Sequence, residues 1–181
     1  MVSVERFLNS LIPFIIFLII LGAFAVQVFA HEVPCPLCYL QRVGMIGAGI
    51  GFLLNLRFGS HMSHYGLVLL SAFYGGSVAL RQMLLHICPG TALFSFPILG
   101  VSLYTWSFFI HAAFVVAVAL LLFLFRPNQP HSRMSRWEKT VTILFFLMVS
   151  GNILSTYLQC ELGPCADVVA TSDTGSQPPT L

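Results

Sequence analysis

A chain of 181 residues that is 57% hydrophobic and only 8% charged cannot coat a water-soluble globule, whose residues are typically about a quarter charged. With a formal net charge of +2 and eight scattered basic residues it has no phosphate-binding face either, so nucleic-acid binding is excluded. What remains is an integral membrane protein, whose elements are counted as spans of roughly 20 apolar residues.

The first apolar run covers residues 11–30. Residues 1–9, with Glu5 and Arg6, resemble the leading region of a signal peptide. The run is too long for a cleaved signal, however, and Phe29-Ala30-His31-Glu32 is a poor cleavage site, so a retained span is expected. A second span is expected over 39–57. Its apolar centre, 43–56, is short, so the first turn with Gln41 and Arg42 must help it reach across. The third span, 64–86, carries Arg81 and Gln82 near its end and stops at Cys88-Pro89-Gly90. Residues 91–102 form an apolar loop suited to the membrane surface. The fourth span is 103–125 and the fifth 141–159, separated by the most polar loop in the chain, 131–139. Residues 1–165 read as one transmembrane domain, and the tail, 166–181, has the composition of a disordered segment. The expected fold class is an all-α integral membrane protein, a four-helix transmembrane bundle plus a fifth C-terminal span.

Five spans place the N-terminus, the Arg57 turn and the 126–140 loop on one side. That side collects Arg6, Arg57, Arg126, Arg133, Arg136 and Lys139, against only Arg42 and Arg81 opposite. The positive-inside rule makes the first side cytoplasmic, so the C-terminus is expected in the periplasm and the membrane is a bacterial inner membrane. Cys35, Cys38, Cys88, Cys160 and Cys165 then all fall on the outer side. Cysteines serving only as small apolar residues would appear inside the spans too; on the oxidising side these are disulfide candidates.

Cys35-Pro36-Leu37-Cys38 is a C-x-x-C at the seam between two apolar runs. The spacing suits zinc as well as a redox dithiol, with Cys160, Cys165, His31 and His86 as conceivable further ligands. C-x4-C is an uncommon half-site and there is no second C-x-x-C, so no metal is expected. Pro36 suits the first position of the second helix. Cys38 then lies in the first turn, near the positive end of the helix dipole, and Arg42, four residues on, shares its face. Dipole and guanidinium both favour the thiolate, the species that attacks a disulfide or donates to an acceptor. The plainer alternative is that Arg42 only anchors the helix at the headgroups.

The stretch Cys35-Pro36-Leu37-Cys38-Tyr39-Leu40-Gln41-Arg42, preceded by a span, resembles the DsbB-like family of disulfide bond formation proteins. Ala79-Leu80-Arg81-Gln82 with Leu85, His86 and Pro89 is a second, weaker match, and the resemblance covers residues 10–125. It implies a membrane enzyme that reoxidises a periplasmic thiol oxidase of the DsbA type and passes the electrons to the membrane quinone pool, ubiquinone or menaquinone. It implies that Cys35 and Cys38 are the quinone-facing pair, with Cys38 adjacent to the quinone and Arg42 assisting it. Arg81, Gln82 and His86 would join that site, or Arg81 and Gln82 would simply snorkel to the surface. Family members usually carry a second cysteine pair in the outer loop between the third and fourth spans, where this chain has only Cys88. The added fifth span ends in Cys160-Glu161-Leu162-Gly163-Pro164-Cys165, as in some five-span relatives. The pair Cys160–Cys165 is therefore inferred to replace the missing one, with Gly163-Pro164 as its turn. Pairing of Cys88 with either is the alternative, although short loops close at lower entropic cost.

The expected activity is quinone-dependent disulfide generation, relayed from the Cys160–Cys165 pair to Cys35–Cys38. The rivals are a metal-binding or transport protein using outer-face Cys and His, a structural protein with stapled loops, and a vitamin-K-epoxide-reductase-like quinone reductase. Two other features carry plainer expectations. Gly47-Ala48-Gly49-Ile50-Gly51 serves close helix packing rather than a dinucleotide. His111 is expected to bond to a neighbouring helix rather than to relay protons.

Overall fold

The computed structural model describes residues 2–29, 36–85, 99–124 and 133–160. It is all-helical, with α1 (Val2–Phe29), α2 (Pro36–Phe58), α3 (Met62–Leu85), α4 (Leu103–Leu124) and α5 (Arg136–Cys160). Each is long and apolar enough to cross a membrane, as the composition requires.

The helices α1 and α5 begin well before their apolar runs, and the sequence shows why. On α1, Glu5, Asn9, Pro13, Ile16 and Ile20 recur at helical spacing and are all buried. The first two turns are thus built into the bundle by polar side chains. At α5, Ser135 and Glu138 form a reciprocal capping box. The Glu138 backbone N–H donates to Ser135 Oγ at 3.2 Å, and the Ser135 N–H donates to Glu138 Oε2 at 2.8 Å. The helix therefore starts at Arg136, five residues ahead of Val141. The end of α2 is set by Gly59, whose φ of 92° suits glycine and whose N–H returns to the Asn55 carbonyl at 3.1 Å.

At the centre lies α2, which packs against all four other helices. More than half of its spanning window is buried, against about a quarter for each of the others. Its glycines make this possible. A Cβ on Gly44 would lie 2.7 Å from Gly75 Cα of α3, one on Gly47 would lie 2.5 Å from Ser71 Oγ, and one on Gly51 would lie 2.9 Å from the His64 carbonyl oxygen. These three share one face of α2, so α3 approaches backbone to backbone. Gly49 faces the other way and takes the ring of Phe145 from α5. The core fills the space between with Ile16, Met45, Phe52, Leu56, Val68, Phe114, Val118 and Phe145.

The stripe Glu138, Val141, Phe145, Met148 and Asn152 is buried along α5, which docks on α1 and α2. Near its start, Arg6 of α1 makes a two-pronged ion pair with Glu138, at 3.1 and 2.7 Å. Beside it Tyr65 of α3 donates to buried Glu5 at 3.1 Å. Asn55 of α2 donates to Asn9 Oδ1 at 3.0 Å, and Asn9 donates to the Tyr65 hydroxyl at 3.2 Å. One end of the bundle is thus laced through α1, α2, α3 and α5. The cysteine-bearing start of α2 lies at the other end.

Candidate functional site

Pro36 is the first residue of α2, so its missing N–H costs no helical hydrogen bond. Cys38 follows in the first turn, half-buried. Gln41 and Arg42 continue the helix and are both buried, as is Gln82 at the end of α3. Buried amides must be paired, and here the pairing is directional. Gln41 Nε2 donates to Gln82 Oε1 at 2.6 Å. With its oxygen taken, Gln82 turns its own NH2 to the sulfur of Cys38, 3.8 Å away. Gln41 holds Gln82, and Gln82 presents a donor to Cys38.

Arg42 is 7% exposed and turns toward α1 and α5. Its guanidinium carbon lies 5.0 Å from the ring centroid of Phe24 and 5.4 Å from that of Tyr39. Nη1 donates to Oδ1 of Asn152, on α5, at 3.5 Å. A buried cation needs such company: a desolvated cation–π contact is worth about 2 kcal/mol, and an arginine within a span is costly without partners. One turn outward on α1, Gln27 donates to Ser155 of α5 at 3.3 Å.

The structure therefore gathers Cys38, Arg42 and Gln82 at one end of the bundle. Arg81 lies beside Gln82 in sequence but on the exposed face of α3. Cys160 is the last residue of α5 and reaches the same end. Cys35, His86, Cys88 and Cys165 lie outside the described residues. Phe24 and Asn152 were not singled out from the sequence, and Gln41 was named there only within the start of the second span and the family stretch. Gln41 was legible as a polar residue within a helix that must bury its whole length. Asn152 and Ser155 are two of several polar residues in the fifth span, with Thr142, Ser150, Thr156 and Gln159, so polarity alone did not pick them out.

His111 of α4 is buried at 1% exposure and differs from expectation. Its Nδ1 lies 2.8 Å from the Ser107 carbonyl of its own helix, not a neighbour's. A carbonyl only accepts, so Nδ1 carries the proton and Nε2 is left as an acceptor. Nε2 has no hydrogen-bond partner among the described residues and rests on the Gly44–Gly75 contact.

Fold and site together define a multi-pass helical membrane protein with a helix-start cysteine held by paired amides and a buried arginine one turn deeper. Residues 5–95, half of the chain, match the family model described as disulfide bond formation protein DsbB, and the chain belongs to that family. It is 40% identical over 85 residues to disulfide bond formation protein B of Marinobacter nauticus, a match covering 41% of this chain and 49% of the relative. The chain thus spans about half the length of the relative it matches. No solved structure matches. The family match contains Cys38, Gln41, Arg42 and Gln82, and ends before α4 and α5.

Proposed function

We propose that the protein is a quinone-reducing protein-disulfide oxidase of the bacterial inner membrane, which reoxidises a DsbA-like periplasmic thiol oxidase. The observation that carries this reading is the wiring of Cys38: a half-buried sulfur in the first turn of α2, with the Gln82 amide aimed at it. The helix start and the amide both favour negative charge on sulfur.

The two ends of the bundle support the orientation. Arg6, Arg57, Arg133, Arg136 and Lys139 belong to the end laced by Arg6–Glu138, which by its charge faces the cytoplasm. Cys38 and Cys160 then face the periplasm. Asn152 and Cys160 are eight residues apart on one helix, a rise of about 12 Å, so α5 carries Cys160 outward beyond the level of Arg42. That placement favours Cys160, paired with Cys165, as the residue that meets the reduced partner. In thiol–disulfide exchange the partner's two thiols become its disulfide while Cys160–Cys165 is reduced. A second exchange reduces Cys35–Cys38 and restores the outer pair.

Membrane quinone supplies the final acceptor, taking two electrons and two protons as Cys35 and Cys38 close their disulfide. The residues present fit such a group. Tyr39 and Phe24 offer aromatic faces, Gln82 an amide donor, and Arg42 a fixed cation for an oxygen that gains charge on reduction. In this reading Arg81, on the exposed face of α3, and His86, outside the described residues, are further candidates for assisting the quinone.

The test is quinone reduction by the purified protein with a reduced DsbA-like oxidase. Cys38→Ser abolishes turnover and Arg42→Ala weakens the quinone KM. Cys160→Ser abolishes turnover with the protein partner. Full activity of Cys160→Ser sinks the relay and assigns the entry role to Cys88, and full activity of Cys38→Ser sinks the assignment altogether.

A further inference from the structure

The fifth span lies beyond the family match, yet it reaches into the Arg42 site. Asn152 is 4% exposed, and its Oδ1 is 3.5 Å from Arg42 Nη1. Phe24 and Gln27 lie three apart on α1, and Asn152 and Ser155 three apart on α5, so each pair shares a face. Phe24 covers the guanidinium from one side, Asn152 accepts from it, and Gln27–Ser155 joins the two helices one turn further out. Arg42 is thereby clasped between α1 and α5. A long arginine side chain has many rotamers, and a guanidinium ordered in advance loses less freedom when it meets an acceptor.

We propose that Asn152 is a positioning residue for Arg42, so that the fifth helix, and not the four-helix bundle alone, sets how tightly the electron acceptor is held. The inference rests on the quinone-reducing activity proposed above. Asn152 touches no reacting atom and acts through the guanidinium. Its removal therefore raises the KM for quinone while leaving turnover at saturation largely intact.

The experiment uses the full chain in detergent or nanodiscs, with short-chain ubiquinone as the varied substrate. Asn152→Ala raises the quinone KM about fivefold, the size of one modest hydrogen bond, with kcat changed less than about twofold. Asn152→Asp restores an acceptor oxygen and brings the KM back. Ser155→Ala loosens the α1–α5 contact without touching the guanidinium, and raises the KM by a clearly smaller factor than Asn152→Ala does. A second readout needs no turnover: in protein carrying isotopically labelled arginine, the Arg42 side-chain resonance, assigned with Arg42→Lys, shifts further in Asn152→Ala than in Ser155→Ala. An unchanged KM and an unshifted resonance in Asn152→Ala overturn the proposal. So does an equal rise in Ser155→Ala, which assigns the effect to helix docking. Absence of quinone reduction in the unmodified protein instead overturns the proposed activity, and the resonance still reports whether Asn152 orders Arg42.

Discussion

At the scale of single residues, the chemistry turns on which way an amide points. Gln82 could face Cys38 with either oxygen or nitrogen, and Gln41 decides between them by donating to the oxygen. Gln82→Leu removes the donor from the sulfur and also strands the buried Gln41 amide, at a cost of about 1–3 kcal/mol. The expected outcome is that reduced Cys38 reacts with iodoacetamide at neutral pH about tenfold more slowly, since a hydrogen bond to a charged group is worth about 1.5–3 kcal/mol. Gln41→Leu keeps the donor but frees its orientation, so it slows alkylation by a smaller factor. Equal rates in both variants and the unmodified protein show that the amide pair does not act on the sulfur. That Cys38 and Arg42 lie one helical turn apart was legible without a structure, because the two are four residues apart along one helix. Gln41–Gln82 and Arg42–Asn152 were not, because each joins residues far apart in the chain, and a single sequence does not say which helices are neighbours.

At the scale of elements, helix counting from hydropathy succeeded because a span must satisfy its own backbone. It misjudged where α1 and α5 begin, because hydropathy sees polar residues as loop. Glu5 and Asn9 are instead paired inside the bundle, and Ser135–Glu138 is a helix start. The glycines of α2 were readable as packing residues, but the partner of Gly44 was not. It is a three-way contact in which Gly44, Gly75 and the His111 ring meet without room for a Cβ. Gly75→Ala drives a methyl into His111 and lowers stability by about 1–3 kcal/mol, the usual cost of overpacking. Gly22 on α1 has nothing within 4 Å of its missing Cβ, so Gly22→Ala is neutral or stabilising by up to about 1 kcal/mol. Thermal unfolding in detergent compares the two. Combining Gly75→Ala with His111→Ala relieves the collision, so the double variant loses less than the sum of its parts. Strict additivity contradicts the contact.

At the scale of the whole molecule, the arrangement is a central α2 with α3 and α4 on one side and α1 and α5 on the other. On the α1–α5 side the two ends are fastened differently. At the end away from Cys38 the Arg6–Glu138 pair is charged and two-pronged, with Glu138 buried and Arg6 partly so. Toward the cysteines the ties to α5 among the described residues are one-pronged: the neutral Gln27–Ser155 hydrogen bond at 3.3 Å and a long 3.5 Å hydrogen bond from the Arg42 cation to the neutral Asn152 amide. Charge on both partners and two prongs make the Arg6–Glu138 pair the stronger tie, so α5 is anchored at its base and more easily displaced at the end that carries Cys160. Removing the anchor therefore reaches the far end. Glu138→Ala removes both prongs of the Arg6 pair and breaks the capping box, at a cost of about 1.5–3 kcal/mol, the worth of hydrogen bonding to a charged group. Arg6→Ala strands Glu138 at a similar cost, and the double variant recovers part of it. In both single variants α5 lifts from α1, and the Arg42 clasp opens with it. The measurable consequence is a raised quinone KM in Glu138→Ala, at a residue more than 20 Å from Arg42 by the rise of α5 alone. A Glu138→Ala protein that is less stable but keeps the quinone KM of the unmodified chain shows that the two ends of α5 are held independently.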